Sequence, residues 1–389
     1  MDQETANALF DKGAFLLFLD APENLEFGID LATWTVGPRF KGIKIIPPGL
    51  HFVYYSGANR PGQSGGVRSG FFKFFESQEI VVKRWDEASE DVFPDSAMDL
   101  EQLGRYRLSK SHAQSCSSVR RVSTHIRDFD ANLGIYPLTA TAHHPTPVYP
   151  RWLKLCSRIS TKRVGRVLPS GGILNAAEAE SRFSENGLRA EPKGKGPAKV
   201  DQHALRIEFA LIDLKKSFPV GATGSDVTKY SLDKSFLLRK VLQDHFENDH
   251  KELLGELQLS FIIFLVGQTY DGFEQWKTLV QLICMSEEAL ETLGNTLFVE
   301  FVECPEDFFT DAITSDSFLR ASLVSLVANA RARPQAPPAL RSAIDGLVEG
   351  LLRRFRWDLM GEVRLREGAD DEEAWGMEEG EDAPVVVEL

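Results

Sequence analysis

The stretch between residues 26 and 56 constrains the fold more than any other part of the chain. It reads EFGIDLATWTVGPRFKGIKIIPPGLHFVYYS. Apolar and polar residues roughly alternate over residues 34–36 and 43–45, and again over 49–55, after a Pro-Pro-Gly corner at 47–49. Alternation bounded by glycine and proline predicts half-buried strands joined by tight turns. The stretch holds no nucleophile beside a base and no ligand cluster, which is typical of a scaffold and not of a catalytic site.

Apolar runs on both sides of this stretch extend the β-rich region. Residues 14–19 predict a buried strand, and residues 71–75 and 80–85 flank a polar turn and predict a hairpin. Residues 151–159 carry apolar side chains at helical spacing. We therefore expect a β-rich, sandwich-like N-terminal domain over residues 1–159.

The composition then changes. Residues 160–203 are locally basic, contain several glycines and have little apolar content, so we expect a flexible linker there. Apolar residues recur at helical spacing between residues 204 and 358, for example over 251–267 and 270–285. That spacing predicts an all-α C-terminal domain, and N-cap residues at 223–226 predict one helix running to His245. The chain is thus expected to be of the α+β class.

An acidic tail follows over residues 359–389. Its block of like charges repels itself and should be disordered in isolation. The last seven residues, APVVVEL, are instead rich in β-branched side chains, and they predict a short strand. This strand would either dock on the protein's own sheet or add to the sheet edge of a partner. The candidate partner-binding residues are Pro384, Val385, Val386, Val387 and Leu389.

Composition narrows the class of protein. The 389 residues are 43% hydrophobic and suffice for about two domains. The formal net charge of −13 argues against nucleic-acid binding over the whole surface. Four cysteines without CxxC spacing indicate reduced thiols in a cytoplasmic or nuclear protein. No apolar run is long enough for a signal peptide or a membrane span, so secretion and membrane insertion are not expected.

Motifs that could carry chemistry are weak. Ser64 lies in a GQSGG match to the hydrolase elbow, but inside a glycine-rich loop instead of a strand–turn–helix. His245 and His250 are five residues apart, a spacing that does not place both on one helical face, and His143–His144 precedes a proline-rich break. No phosphate-binding loop or dinucleotide fingerprint is present. We therefore expect no catalytic, cofactor-binding or metal-binding residues, and keep a serine hydrolase using Ser64 as an alternative.

A second alternative is RNA binding by the basic linker. Its cations could contact phosphates, but no aromatic residues are interleaved to stack bases, so direct RNA contact is not expected. The cations concerned are Lys162, Arg163, Arg166, Lys193, Lys195 and Lys199.

Several segments, in order along the chain, resemble the AAR-two family of splicing factors, which mature the U5 small nuclear ribonucleoprotein (snRNP). The resemblance extends over about two thirds of the chain, and the segments that carry it are residues 26–56, 70–75, 81–85, 218–223, 228–233, 253–284, 355–358 and 383–389. Residues 104–125 and 160–205 do not match the family pattern and are interpreted as insertions.

The resemblance implies a β-rich N-terminal domain, a helical domain similar to VHS domains, and no enzyme activity. It implies a partner, the large U5 scaffold protein, contacted at its RNase H-like and Jab/MPN-like domains. It further implies that the U5 helicase is held off until phosphorylation releases the complex, and that the acidic tail takes part in binding. A cytoplasmic location is expected, with nuclear entry left open.

Overall fold

The computed structural model describes residues 12–57, 67–93, 129–139, 147–176, 206–289, 318–331 and 338–369. Both β-sheets are built from residues before 176, where two short helices also lie, and the described elements after residue 206 are all helical. The predicted α+β class, with a β-rich region followed by a helical region, is therefore confirmed. The likeness to VHS domains stays a prediction.

Ten strands in the described residues form two five-stranded sheets. The first sheet has the order β8-β7-β1-β4-β9, and the second has the order β10-β6-β5-β2-β3. The strands are β1 (Ala14–Leu19), β2 (Glu26–Ile29), β3 (Ala32–Thr35), β4 (Gly42–Ile46), β5 (Gly49–Ser56), β6 (Arg68–Phe75), β7 (Ile80–Asp86), β8 (Asp91–Val92), β9 (Leu133–Ile135) and β10 (Ile173–Asn175).

Strand β1 is apolar throughout because both of its faces are buried. Leu16 and Phe18 point into the core between the sheets, whereas Phe15 and Leu17 pack on the opposite side of the first sheet. A strand buried on both faces reads as a continuous hydrophobic run and not as an alternating one. The core between the sheets contains sixteen buried residues, among them Phe27, and it confirms the predicted sandwich arrangement.

The predicted hairpin between residues 71–75 and 80–85 is wrong. Both segments are strands, but β6 pairs with β5 and β10 in the second sheet, while β7 pairs with β1 and β8 in the first. The polar turn therefore carries the chain from one sheet to the other. Local alternation identifies a strand, but pairing is decided by distant contacts, here the parallel register from Phe15↔Ile80 to Leu19↔Arg84.

The proline–glycine corner also joins the two sheets, since it leads from β4 to β5. Gly49 has a φ of 135°, a conformation that side chains rarely adopt. Ile45, just before the corner, has a φ of 62° at the point where the β1–β4 register shifts. The corner is therefore a specified bend, as the sequence predicts.

Nine α-helices occur in the described residues, together with short 3₁₀ turns at Asp130–Asn132 and Glu287–Ala289. They are α1 (Val148–Leu155), α2 (Thr161–Val167), α3 (Gly224–Leu232), α4 (Ser235–His245), α5 (His250–Leu265), α6 (Tyr270–Cys284), α7 (Phe318–Arg331), α8 (Pro338–Phe355) and α9 (Leu359–Ala369).

The single helix predicted from Val227 to His245, after N-cap residues at 223–226, is in fact two helices. Asp233 interrupts it, because its carboxylate accepts a hydrogen bond from the backbone N–H of Ser235 at 3.0 Å and starts α4. Lys234 beside it is turned inward and donates to the carbonyl of Leu214 at 2.9 Å. Short polar side chains that bond nearby backbone groups compete with helix continuation in this way.

Part of the predicted linker is folded. Residues 160–176 contain α2 and β10, and β10 pairs antiparallel with β6. Four of the apolar residues of this segment, Val164, Val167, Leu168 and Leu174, are buried in the core shared with the helices, whereas Ile173 is exposed. The rest of the predicted linker lies outside the described residues.

The start of the predicted tail is also folded. Residues 359–369 form α9, which buries Leu359 and Val363 in the helical core. Residues 370–389 lie outside the described residues. The remaining domain boundaries stay predictions.

Candidate functional site at the junction of sheets and helices

The outer face of the second sheet packs directly on the helices. Leu50, Phe52 and Phe72 belong to the same buried core as the side chains of α1, α5 and α6. Trp152 of α1 is fully buried there, and its indole Nε1 donates to the carbonyl of Leu50 at 2.7 Å. The two halves of the chain are therefore joined by a continuous core.

Helix α5 lies against the chain that links α1 to α2. A Cβ atom at Gly255 would lie 2.6 Å from the carbonyl oxygen of Arg158, so only glycine allows this approach. Gln258, three residues further on, accepts from the backbone N–H of Arg158 at 2.8 Å and donates to the carbonyl of Lys154 at 3.0 Å. These contacts fix α5 in position against the sheet domain.

Arg163 of α2 forms the strongest polar contact at this junction. Its side chain is only 2% exposed, and it pairs with Glu252 and Glu256 of α5, each at 2.9 Å. Its guanidinium carbon also lies 4.5 Å from the ring centroid of Phe246. A buried guanidinium is tolerated only where close carboxylates offset its lost hydration, so the two glutamates hold α2 on α5.

Glu256 connects four segments through one carboxylate. Besides Arg163, it accepts from the backbone N–H of Ala210 at 2.8 Å and from the side-chain amide of Gln275 at 2.9 Å. Burial raises the pKa of Glu256, whereas these hydrogen bonds and Arg163 act in the opposite direction. The carboxylate thus ties α2, the entry segment 206–214, α5 and α6 together.

A second buried polar group lies inside the sheet domain. The Oδ2 atom of Asp30 lies 2.7 Å from Nδ1 of His51 and accepts from the hydroxyl of Tyr136 at 2.6 Å, while Oδ1 accepts from the N–H of Phe52 at 3.0 Å. Burial, followed by the charge of Asp30, raises the pKa of Tyr136. The Nε2 atom of His51 lies 2.8 Å from the carbonyl oxygen of Pro47.

This arrangement stabilises the domain and leaves His51 no free nitrogen. A carbonyl oxygen only accepts, so Nε2 of His51 carries a proton, and Nδ1 is occupied by Asp30. The imidazole therefore has no nitrogen with which to take a proton from a substrate. The group joins residues that lie in or next to both sheets, and its place is structural.

The structure separates the residues of the RNA-binding alternative. Lys162, on the surface, pairs with Glu247 at 2.7 Å, and Arg166 donates to the carbonyl of His245 at 2.9 Å. Arg163 is buried at the junction and cannot reach a phosphate backbone. The remaining cations of that set, Lys193, Lys195 and Lys199, lie outside the described residues.

Most of the other predicted site residues are not described. Ser64, His143 and His144 fall in this group, and so does the tail strand with Pro384, Val385, Val386, Val387 and Leu389. Their assignments stay predictions. Among the described residues, no three or more His, Cys, Asp and Glu side chains are grouped as a metal site would require.

Two of the four cysteines, Cys156 and Cys284, are described, and both are buried free thiols. Burial raises the pKa of Cys156 to about 12, so its thiol stays protonated at neutral pH. None of the described helices is both long and apolar enough to cross a bilayer.

Helix α3 differs from the other helices because none of its residues is buried. It stands on the surface between two exposed apolar residues, Val220 before it and Leu232 at its end. Exposed apolar residues that occur singly are common on protein surfaces, so these two residues alone do not define a contact site.

Sequence reasoning missed the two polar groups that organise the interior. One signal was present: Glu256 lies inside the apolar run LLGELQLSFIIF. A lone carboxylate in such a run is expected to have a buried cationic partner. The identity of that partner, Arg163, requires the tertiary structure.

The fold and this junction define a two-part α+β protein whose sheet sandwich is fused to a helical domain. Comparison with protein families gives a specific match for each part. A family model described as the AAR2 N-terminal domain matches residues 12–169, and one described as the AAR2 C-terminal repeat region matches residues 209–360. The chain belongs to the AAR2 family, which is the AAR-two family of the resemblance above.

Curated relatives agree with the family match. The chain is 30% identical over 416 residues to a protein from Homo sapiens named Protein AAR2 homolog, covering 100% of this chain and 97% of the relative. It is 31% identical over 381 residues to the Caenorhabditis elegans homolog, covering 91% and 97%. The A1 cistron-splicing factor AAR2 of Saccharomyces cerevisiae is 24% identical over 133 residues, covering 33% and 36%. Membership of this family supports a splicing-related role.

Proposed function

We propose that the protein is a non-enzymatic assembly chaperone of the U5 snRNP that supports pre-mRNA splicing. It binds the large U5 scaffold protein at its RNase H-like and Jab/MPN-like domains and keeps the U5 helicase off during maturation. The observation that carries this proposal is the family match across both halves of the chain, in a family with a named splicing factor. We place this activity in the cytoplasm, with entry into the nucleus left open.

The junction supports a binding role for both halves together. Because the sheet sandwich and the helices share a core and the buried Arg163–Glu256 pair, surfaces on each half are held in a fixed relation. A partner with two contact domains can then be bound at two places at once, and the second contact adds affinity at a high effective concentration.

The tail strand supplies a further contact in this proposal. Residues 384–389 add to a sheet edge of the scaffold, where main-chain hydrogen bonds give affinity and the valine side chains give register. Deleting residues 383–389 is expected to weaken scaffold binding by at least about tenfold, or about 1.4 kcal/mol. Circular dichroism of the deletion variant should be unchanged, and an unaltered affinity would refute the tail contact but not the chaperone role.

The proposal as a whole is tested by capture from cytosolic extract. The full-length tagged protein is used as bait at low salt, and bound proteins are identified by mass spectrometry. We expect the U5 scaffold protein without the U5 helicase. Recovery of the helicase in the same complex would refute the exclusion of the helicase, and failure to recover the scaffold would overturn the proposal.

A further inference from the structure

The end of α8 and the helix α9 form a strongly basic corner. Arg353, Arg354 and Arg356 are exposed at the end of α8 and just after it, and Arg364 is exposed on α9. Only three residues separate the two helices, so the end of α8 is close to the start of α9, and these arginines are near one another along the chain. We call them the basic corner.

The acidic residues near the basic corner are fewer than the arginines, and two of them are already engaged in ion pairs. Glu349 pairs with Arg353, but both side chains are largely exposed, at 69% and 75%, and such pairs are weak. Glu362 is engaged by Arg320 and by the indole Nε1 of Trp357. Residues 349–369 contain five arginines against four acidic residues, and one of these acids, Glu362, is already paired with Arg320, so a net positive charge remains.

Two apolar side chains are exposed beside the basic corner. Leu352 is 47% exposed at the end of α8, and Leu365, next to Arg364, is 76% exposed. The corner therefore offers cations together with apolar surface. A matching ligand would be an acidic segment that also carries large apolar residues.

The chain directly after α9 has that composition. Residues 370–389 contain nine acidic side chains and no lysine or arginine. Trp375 and Met377 lie between the acidic blocks 370–373 and 378–382. Helix α9 is about 16 Å long at 1.5 Å per residue, and thirteen extended residues span up to about 45 Å. Residues 370–382 can therefore reach back to Arg353.

We propose that the acidic segment 370–382 docks on the basic corner of its own chain, with Trp375 and Met377 covering Leu352 and Leu365. The docked segment holds the terminal strand near the helical domain, so a partner that binds the strand competes with the corner for the tail. Only this last consequence rests on the proposed function; the docking itself involves no partner.

The test uses ¹⁹F NMR of the full-length protein labelled with 5-fluorotryptophan. The chain has six tryptophans, and Trp375→Phe identifies the resonance of the tail. At about 0.1 M salt we expect this resonance to be broadened and shifted from its position in urea. Raising the salt to about 1 M reduces the Debye length from about 10 Å to about 3 Å and should move the resonance toward the urea position.

Charge reversal at the basic corner tests whether its arginines hold the tail. The variant Arg353→Glu/Arg356→Glu/Arg364→Glu should give a sharp Trp375 resonance at the urea position even at low salt. The matched control reverses three exposed cations elsewhere, Arg39, Lys229 and Lys240, and should leave the resonance as in the unmodified protein. The other five tryptophan resonances report whether each variant is folded.

Two outcomes would overturn the proposal. A sharp Trp375 resonance at the urea position in the unmodified protein at low salt would show that the tail is not docked. A resonance that sharpens on dilution would show that a second copy holds the tail, which contradicts docking within one chain. Neither result depends on the U5 scaffold, so failure here is distinguishable from failure of the chaperone proposal.

Discussion

Replacing Arg163 by methionine tests the role of the buried junction most directly. Methionine keeps most of the side-chain length but removes the cation, so Glu256 stays buried with only the Ala210 N–H and the Gln275 amide as donors. Glu252, at 17% exposure, keeps partial access to water. Removing one member of a buried ion pair destabilises a protein by about 3–5 kcal/mol. We expect the free energy of unfolding to fall by about 3 kcal/mol at pH 7.5. This value is at the lower end of the range because Glu252 is partly hydrated.

The loss should depend on pH in a defined direction. Burial already raises the pKa of Glu256 above its ordinary value of 4.5, and removing Arg163 takes away a charge that opposes this rise. Where the folded protein binds a proton more tightly than the unfolded chain, stability falls as pH rises. The pH range over which this fall in stability occurs starts at about pH 4.5, and it extends to higher pH in the Arg163→Met variant. The variant should therefore lose less stability at pH 5 than at pH 7.5.

Urea unfolding of the full-length protein, monitored by circular dichroism at pH 5 and pH 7.5, measures both the loss of stability and its dependence on pH. The matched control is Lys162→Met, because Lys162 lies next to Arg163 on α2 and also pairs with a glutamate, but at 57% and 70% exposure. Because an exposed pair contributes little to stability, Lys162→Met should change the urea midpoint much less than Arg163→Met. Adding Glu256→Gln to Arg163→Met should restore part of the loss by removing the unpaired charge. Equal effects of Arg163→Met and Lys162→Met, or a loss that does not change with pH, would refute the reasoning.

Two further substitutions test the other constraints on the interior. His51→Leu leaves the carboxylate of Asp30 buried without its imidazole partner. This change should lower the free energy of unfolding, measured in urea, by about 3–5 kcal/mol. A decrease below about 1 kcal/mol would contradict the importance of this buried pair. Gly255→Ala places a Cβ 2.6 Å from the carbonyl oxygen of Arg158 and should destabilise by about 1–3 kcal/mol. Gly346→Ala, in α8 with open space around it, should instead stabilise by about 0.4–1 kcal/mol. Equal thermal midpoints for the two glycine variants would refute the close approach.

Much of the fold follows from local sequence patterns. The strand at residues 14–19, the corner at 47–49 and the helix at 270–284 lie where the sequence predicts them. Each is set by signals within a few residues, namely apolar runs, helical spacing, or proline and glycine. The α+β order of the chain follows from the same signals, because it requires only the type of each element.

The sequence-based predictions are wrong where contacts between residues far apart in the chain decide the structure. Residues 160–176 look like a linker because their apolar residues are few, yet four of these residues are buried by partners far along the chain. Arg163 looks like a surface cation, and its true partner, Glu256, is 93 residues away. The break at Asp233 depends partly on Lys234 turning toward Leu214, twenty residues earlier. Charge and composition over a short window do not contain these contacts.

The junction explains why a polar network is useful in a core that is otherwise apolar. Apolar side chains can slide past one another with little loss, whereas donors and acceptors must meet at fixed distances. Glu252 and Glu256 lie one turn apart on α5, so the guanidinium of Arg163, held by both, sets α2 at a single height along that helix. The glycine between them allows the backbones to approach. A partner that contacts both halves would therefore meet a surface already aligned, and its binding would not be weakened by ordering the two domains.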